Sequence, residues 1–258
     1  MKVVIFAGGL GTRIAEETDT RPKPMVEIGG KPILWHIMKI YSHYGFNEFI
    51  ICLGYKGFLI KEYFMQYFLH NSDLTIELGS NKLDVHYTNT ESFKVTLVDT
   101  GLNTKTAGRL KRVQQYVGNE DFMLTYGDGV ADVNLEKLLS FHKAHNKVAT
   151  VTAIQPEARF GGMEMGPNGE VVNFKEKPKG DGKWINGGFF VLKPEVFQYL
   201  DGNMDDTMWE DAPLENLAKN EQLMAFQHHG FWKCMDAMRD KLELEALWQN
   251  NQAKWKIW

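Results

Sequence analysis

Apolar residues come in short unbroken runs, separated by stretches in which they recur every three or four positions. Residues 2–6, KVVIF, form a continuous run that stops at glycine, which predicts a strand buried on both faces. Ile33, Ile37, Ile40, Tyr41 and Tyr44 then fall at helical spacing, with Gly45 as the stop. The alternation repeats. EFIICLGY reads as a strand, GFLIKEYFMQYF as a helix, VTLVDT and DFMLTYGD as strands with a helix over Arg109 to Val117 between them. LEKLLSFHKAHN reads as a further helix and VATVTAI as a further strand. Strands alternating with helices predict an α/β fold: a mostly parallel mixed sheet with helices on both faces. After about residue 156 glycine and proline become denser, and strands such as GGFFVLK come with turns. This predicts a smaller lobe over about 157–258 beside a nucleotide-binding part over about 1–156, the two forming a single domain. The tail begins as an amphipathic helix with Leu242, Leu244 and Leu247, whereas residues 69–93 are polar and only weakly periodic.

Composition narrows the function classes. The chain has 258 residues, 43% hydrophobic and 24% charged, enough for a substantial core. A net charge of −4 argues against a surface built to coat nucleic acid. No run approaches the roughly 18 apolar residues that cross a bilayer, and the first run is too short for a signal peptide. Cys52 and Cys234 form no disulfide framework or zinc spacing and both sit in apolar company, so they read as reduced packing thiols in a cytoplasmic protein.

Chemistry gathers at AGGLGTRIAEETDTRPKPM, residues 7–25. Glycines after a strand let the backbone approach a ligand closely, and successive N–H groups in such a turn make an anion-binding concavity. Arg13 adds a guanidinium suited to phosphate oxygens. A Walker loop is excluded because no lysine follows the glycines, and Ile14 stands where a dinucleotide fingerprint needs a small residue. Pro22 and Pro24 stiffen the backbone on both sides of Lys23 and present its ammonium. Asp128 ends a predicted strand between two glycines, at the edge where open α/β sheets bind ligands. Asp236, in FWKCMDAMRD, reads on its own as the N-cap of a helix starting near Ala237. Magnesium is bound through one or two carboxylates plus waters and substrate phosphates, so such a separated pair suits it. In VVNFKEKPKG a carboxylate could accept hydrogen bonds from two sugar hydroxyls while the neighbouring lysine reaches a phosphate.

The glycine loop followed by Pro-Lys-Pro-Met resembles the signature of the sugar-1-phosphate nucleotidylyltransferases. That resemblance implies a Rossmann-like fold of the nucleotide-diphospho-sugar transferase type. It implies that Ala7, Gly8, Gly9, Leu10, Gly11, Thr12, Arg13, Lys23, Gly127 and Asp128 bind a nucleoside triphosphate, with Arg13, Lys23 and Asp128 catalytic. It also implies Mg2+ on Asp128 and Asp236, and a sugar phosphate held by Glu176, Lys177, Asn186 and Gly188, with Gly162 from FGGMEM lining the same pocket. Asp132 and the eight histidines, His228 and His229 among them, match no role.

Within the family the likeness runs nearly end to end to members that transfer a cytidylyl group from CTP to α-D-glucose 1-phosphate, giving CDP-glucose and pyrophosphate. By that match Thr106 and Arg109 contact the nucleotide, and TKTAGRLKRV replaces the Gln-Pro-x-Gly-type segment of thymidylyl and uridylyl members. The product would supply modified sugars of surface polysaccharide, such as lipopolysaccharide O-antigen. A homo-oligomer is implied, with residues 69–93 available for contacts, and neither nucleic acid nor membrane as partner. Two other functions share these residues: a thymidylyl- or uridylyltransferase acting on a hexose 1-phosphate, and a non-catalytic sugar-nucleotide sensor.

Overall fold

A computed structural model describes residues 1–156, 162–165, 167, 170–175 and 183–258. At its centre lies an eight-stranded sheet. Lys2–Phe6 pairs in parallel with Glu48–Leu53 on one side and Phe122–Tyr126 on the other, and Glu48–Leu53 pairs in parallel with Lys94–Asp99. Beyond Phe122–Tyr126 come Phe190–Leu192, antiparallel, then Ala149–Ile154, then Leu223–His228, parallel to Ala149–Ile154. Strands from both halves of the chain therefore interleave in one sheet, while Gly162–Met165 and Val171–Lys175 pair with each other in a small sheet of their own.

The continuous apolar runs have the cause expected of them. In the first strand Val3 and Ile5 face one hydrophobic cluster while Val4 and Phe6 face another. Phe49, Ile51 and Leu53 divide from Ile50 and Cys52 in the same way. Helix Ile33–His43 covers the first face with Ile33, Leu34, Ile37, Met38, Ile40 and Tyr41. Helices Thr106–Arg112 and Ala212–Lys219 cover the second with Ala107, Leu110 and Leu217, beside Trp209. Each fully buried side chain of this size contributes about 1.5–3 kcal/mol relative to exposure.

Three elements differ in detail from the periodicity. The helix expected over Arg109 to Val117 starts earlier and is broken into Thr106–Arg112 and Gln114–Val117. Residues 72–88 form an antiparallel hairpin, Ser72–Glu77 against Lys82–Thr88, paired with no strand of the main sheet. Helix Met238–Gln249 buries Leu244 and leaves Leu242 61% exposed, so its apolar stripe is narrower than the leucine spacing suggests. No helix among the described residues is long and apolar enough to cross a membrane.

The sheet positions the site through its central pair. Phe6 lies opposite Tyr126 in the register, so the turns leaving these parallel strands emerge side by side. Gly127 N–H donates to Phe6 O at 2.9 Å, and a Cβ at 127 would lie 2.6 Å from that oxygen. Only glycine fits this approach.

Candidate active site

The glycine loop leaves the central strand directly. Ala7 N–H donates to Cys52 O at 3.0 Å, continuing the sheet for one residue. Gly8 O then accepts from Tyr55 N–H at 3.2 Å and from Arg109 Nη2 at 2.9 Å. A Cβ on Gly8 would lie 2.1 Å from Arg109 Nη1. Gly11 takes φ +65°, the left-handed turn that admits glycine at little cost, and leads into a single 3-10 turn, Thr12–Ile14. Ala7, Gly9, Gly11, Thr12 and Arg13 line a cleft of about 320 Å³ with Lys23, Thr106, Tyr126, Gly127, Asp128 and Glu210. Leu10 stands 52% exposed and Gly8 is tucked beneath; neither is among the cleft-lining residues.

Lys23 opens a second 3-10 turn, Lys23–Met25, entered from an extended Pro22. Its Nζ lies 2.6 Å from Asp128 Oδ2 and 2.7 Å from Asp236 Oδ1. Arg13 Nη1 lies 2.6 Å from Asp236 Oδ2. Two acids far apart in the chain meet because Trp232–Cys234 pairs antiparallel with Gly129–Ala131, Cys234 opposite Gly129. Met235 N–H continues that ladder to Asp128 O at 2.8 Å.

Asp236 is not the helix N-cap that its position suggests. Asp240 does that work: its Oδ2 accepts from the N–H groups of Asp236 at 3.0 Å and Ala237 at 2.9 Å. Burial alone would raise the Asp240 pKa, but these N–H bonds and Lys233 outweigh it and hold the carboxyl low. The side chain of Asp236 is thereby left for Lys23 and Arg13.

Burial by itself would lower the Lys23 pKa. The Asp128 charge and hydrogen bonds to both acids override it, and the net shift is upward, keeping the ammonium charged. Cys234 does not sit in purely apolar company: its Sγ and oxygens of Asp128 and Asp236 all lie within 4.8 Å of one another. Burial first, then the Asp128 charge, pushes the thiol up, so it stays protonated and hydrogen-bonds to Asp128. The oxygen donors fit a magnesium-like ion. Asp128 and Asp236 supply two hard carboxylates, and their partial exposure leaves room for waters and phosphate oxygens.

Arg109 differs from expectation. It is 4% exposed and donates to Leu53 O at 2.9 Å, Thr100 Oγ1 at 2.8 Å, Gly8 O at 2.9 Å and Leu102 O at 3.4 Å. Its guanidinium is spent supporting the glycine loop from below rather than facing the cleft. Thr106 does face it, accepting from Trp209 N–H at 2.7 Å and donating to Glu210 Oε2 at 3.0 Å. Asn186 ends the short strand Ile185–Asn186; the chain then bends at Gly188, at φ +75°, while Gly187 N–H still donates to Thr152 O at 2.8 Å and Gly188 O still accepts from Thr152 N–H at 3.2 Å. Asn186 Nδ2 donates to Tyr126 Oη at 3.0 Å, and Gly188 N–H donates to Asn186 Oδ1 at 2.8 Å. Gly162 begins strand Gly162–Met165, opposite Lys175. Glu176 and Lys177 lie outside the described residues. Met208 and Glu210 are cleft residues that no sequence motif marks, and Tyr126, although it stands in DFMLTYGD, carries no assigned role there.

A lysine between two acids, sharing a cleft with a glycine loop at the carboxyl ends of parallel strands, is the equipment of an enzyme that handles phosphates. Comparison with known proteins makes that class specific: the chain belongs to the Nucleotidyl transferase family, matched over residues 2–236. It is 57% identical, over the full length of both chains, to a glucose-1-phosphate cytidylyltransferase of Salmonella typhi. It is 48% identical, again over both full lengths, to a probable glucose-1-phosphate cytidylyltransferase of Bacillus subtilis. Among solved structures, a UDP-glucose pyrophosphorylase complexed with UDP-glucose shares the fold with a TM-score of 0.68 at 18% identity, covering 97% of this chain and 98% of that one.

Proposed function

We propose that this protein transfers the cytidylyl group of CTP to α-D-glucose 1-phosphate, releasing pyrophosphate and forming CDP-glucose. Lys23 paired to Asp128 and Asp236 at the mouth of the cleft is the observation that carries nucleotidyl transfer. Cytosine and glucose rest on the full-length similarity to the Salmonella and Bacillus proteins.

A phosphate oxygen of the sugar phosphate attacks the α-phosphorus in line. A new P–O bond forms as the bond to the β-bridging oxygen breaks, and pyrophosphate leaves with that electron pair. No general base is required, because a phosphate monoester has a second pKa of about 6 and is largely dianionic at neutral pH. The protein's task is to bring two anions together and stabilise the charge on the group in transfer. Lys23 and Arg13 provide cations for it, and the loop from Gly8 to Arg13 provides backbone N–H groups. Asp128 and Asp236 would hold Mg2+, which supplies further positive charge against the phosphate oxygens when bound. On the sugar side Gly162, Glu176, Lys177, Asn186 and Gly188 are assigned to the hexose phosphate.

The chain is read as a single nucleotidyltransferase domain, since strands from both halves share one sheet. It is further read as a cytoplasmic homo-oligomer serving surface-polysaccharide synthesis. Exposed Ile76, Leu78, Leu83, Val85 and Tyr87 on the 72–88 hairpin support self-association, which sedimentation of the intact chain reads directly. Turnover of glucose 1-phosphate with CTP, UTP, dTTP and ATP tests the reaction. CTP should lead, and a tenfold preference for UTP or dTTP would overturn the cytidylyl assignment.

A further inference from the structure

Glu210 lines the cleft immediately after the buried Trp209, yet the phosphate chemistry above makes no use of it. Each of its carboxylate oxygens is held by a hydroxyl, and the direction of each of those protons is set from the backbone. On one side Gly188 N–H donates to Asn186 Oδ1, which turns the amide so that Nδ2 donates to Tyr126 Oη. The phenol proton is then directed to Glu210 Oε1. On the other side Trp209 N–H donates to Thr106 Oγ1, whose own proton goes to Glu210 Oε2. Burial first, then the Glu210 charge, pushes the Tyr126 pKa up, so the phenol keeps the proton it donates. Among the described residues no lysine or arginine pairs with Glu210.

The result is a carboxylate locked in place as an acceptor. Each oxygen takes one hydroxyl proton and retains lone-pair capacity for another donor. A phosphate approaching it would be repelled, whereas a neutral N–H or O–H would be bound. The same network joins Thr106, at the start of helix Thr106–Arg112, to Asn186, on the sheet edge assigned to the hexose.

We propose that Glu210 is a specificity-determining residue that accepts a hydrogen bond from a neutral substrate donor, either the exocyclic amino group of the base or a hydroxyl of the hexose. This rests on the reaction proposed above and adds a residue to it. A base with a carbonyl oxygen in place of the amine sets acceptor against acceptor; a hexose lacking the hydroxyl leaves the carboxylate short of a partner. Sites built to bond a substrate donor discriminate strongly against analogues without it.

The test is Glu210→Gln, assayed beside the native enzyme with CTP and UTP, and with glucose 1-phosphate and its 2-, 3- and 4-deoxy analogues. If the donor is the base amine, the CTP-to-UTP ratio of kcat/KM falls at least about tenfold while the hexose preferences hold. If it is a sugar hydroxyl, preference for glucose 1-phosphate over one deoxy analogue falls by about that factor while the nucleotide ratio holds. Either result supports the proposal. Both sets of ratios unchanged in a variant with native thermal unfolding would overturn it. Glu210→Asp, which keeps the charge but withdraws it by one methylene, should move the same ratio in the same direction and serves if the glutamine variant does not fold. Native enzyme that fails to use CTP with glucose 1-phosphate would overturn the parent reaction, whereas native activity with unchanged ratios in the variants removes Glu210 alone.

Discussion

Lys23 Nζ lies 2.6 Å from Asp128 Oδ2, a contact between residues 105 positions apart. The cation assigned to the phosphates is thus held, before any phosphate is considered, by the acid assigned to the metal. Replacing Lys23 by alanine removes charge from the transferring group and leaves two carboxylates facing each other. We expect Lys23→Ala to lower kcat at least about a hundredfold, roughly 2.7 kcal/mol of transition-state stabilisation, measured as initial pyrophosphate release. Near-native turnover would remove Lys23 from the mechanism.

Asp236 tests the metal assignment separately. Its helix is already served by Asp240, so Asp236→Asn should leave the fold intact. Mn2+ binding, followed by water proton relaxation, should weaken by at least about tenfold on loss of one of two carboxylate ligands. An unchanged Mn2+ titration would reduce Asp236 to a partner of Lys23 and Arg13.

Arg109 should behave as a support of the loop. Arg109→Ala removes the bonds to Leu53 O, Thr100 Oγ1, Gly8 O and Leu102 O and opens a void beneath residue 8, although Tyr55 N–H still reaches Gly8 O and Thr100 N–H still reaches Leu53 O. A loss of roughly 3 kcal/mol in urea unfolding is expected, since a buried cluster of hydrogen bonds is lost and a cavity is left in its place. Full stability together with a raised KM for the nucleotide would instead make Arg109 a direct ligand.

His36 makes stability depend on pH. It is fully buried, with Nε2 2.8 Å from Ile28 O and Nδ1 3.4 Å from Trp255 Nε1. The indole N–H can only donate, so Nδ1 accepts from it and Nε2 carries the proton to Ile28. Burial lowers the His36 pKa to about 4 from 6.5. The unfolded chain therefore binds a proton that the folded chain refuses. Stability from this group is complete above about pH 6.5 and falls as pH drops toward about 4, by up to roughly 1.4 kcal/mol per pH unit. His142, also lowered to about 4 by burial, acts in the same direction. Melting temperatures across this range should fall with pH, and His36→Gln should flatten the slope; equal slopes in the two proteins would contradict the assignment.

The parallel strands were readable because both their faces are buried, so every position from Val3 to Phe6 had to be apolar. The glycine loop and Lys23 were readable because close backbone approach and stiff presentation leave local marks in sequence. The 72–88 hairpin carries a weaker mark: Leu74 and Ile76, and Leu83, Val85 and Tyr87, alternate with polar residues, but both strands are largely exposed and no continuous apolar run announces them. The surroundings of Cys234 are hidden for a different reason: nearby Trp232 and Met235 are apolar, but Asp128 arrives beside it by strand pairing. Glu210 was invisible because its role depends on hydroxyls from Thr106 and Tyr126, more than eighty residues away. Leu242 looked like part of a core stripe until the helix's docking face was known.

The most direct test is a crystal structure of the protein with CTP and Mg2+. The triphosphate should lie along the turn from Gly8 to Arg13, with Lys23 on its phosphates and the ion bound by Asp128 and Asp236. A triphosphate seated away from that turn, with both aspartates contacting no metal, would contradict it.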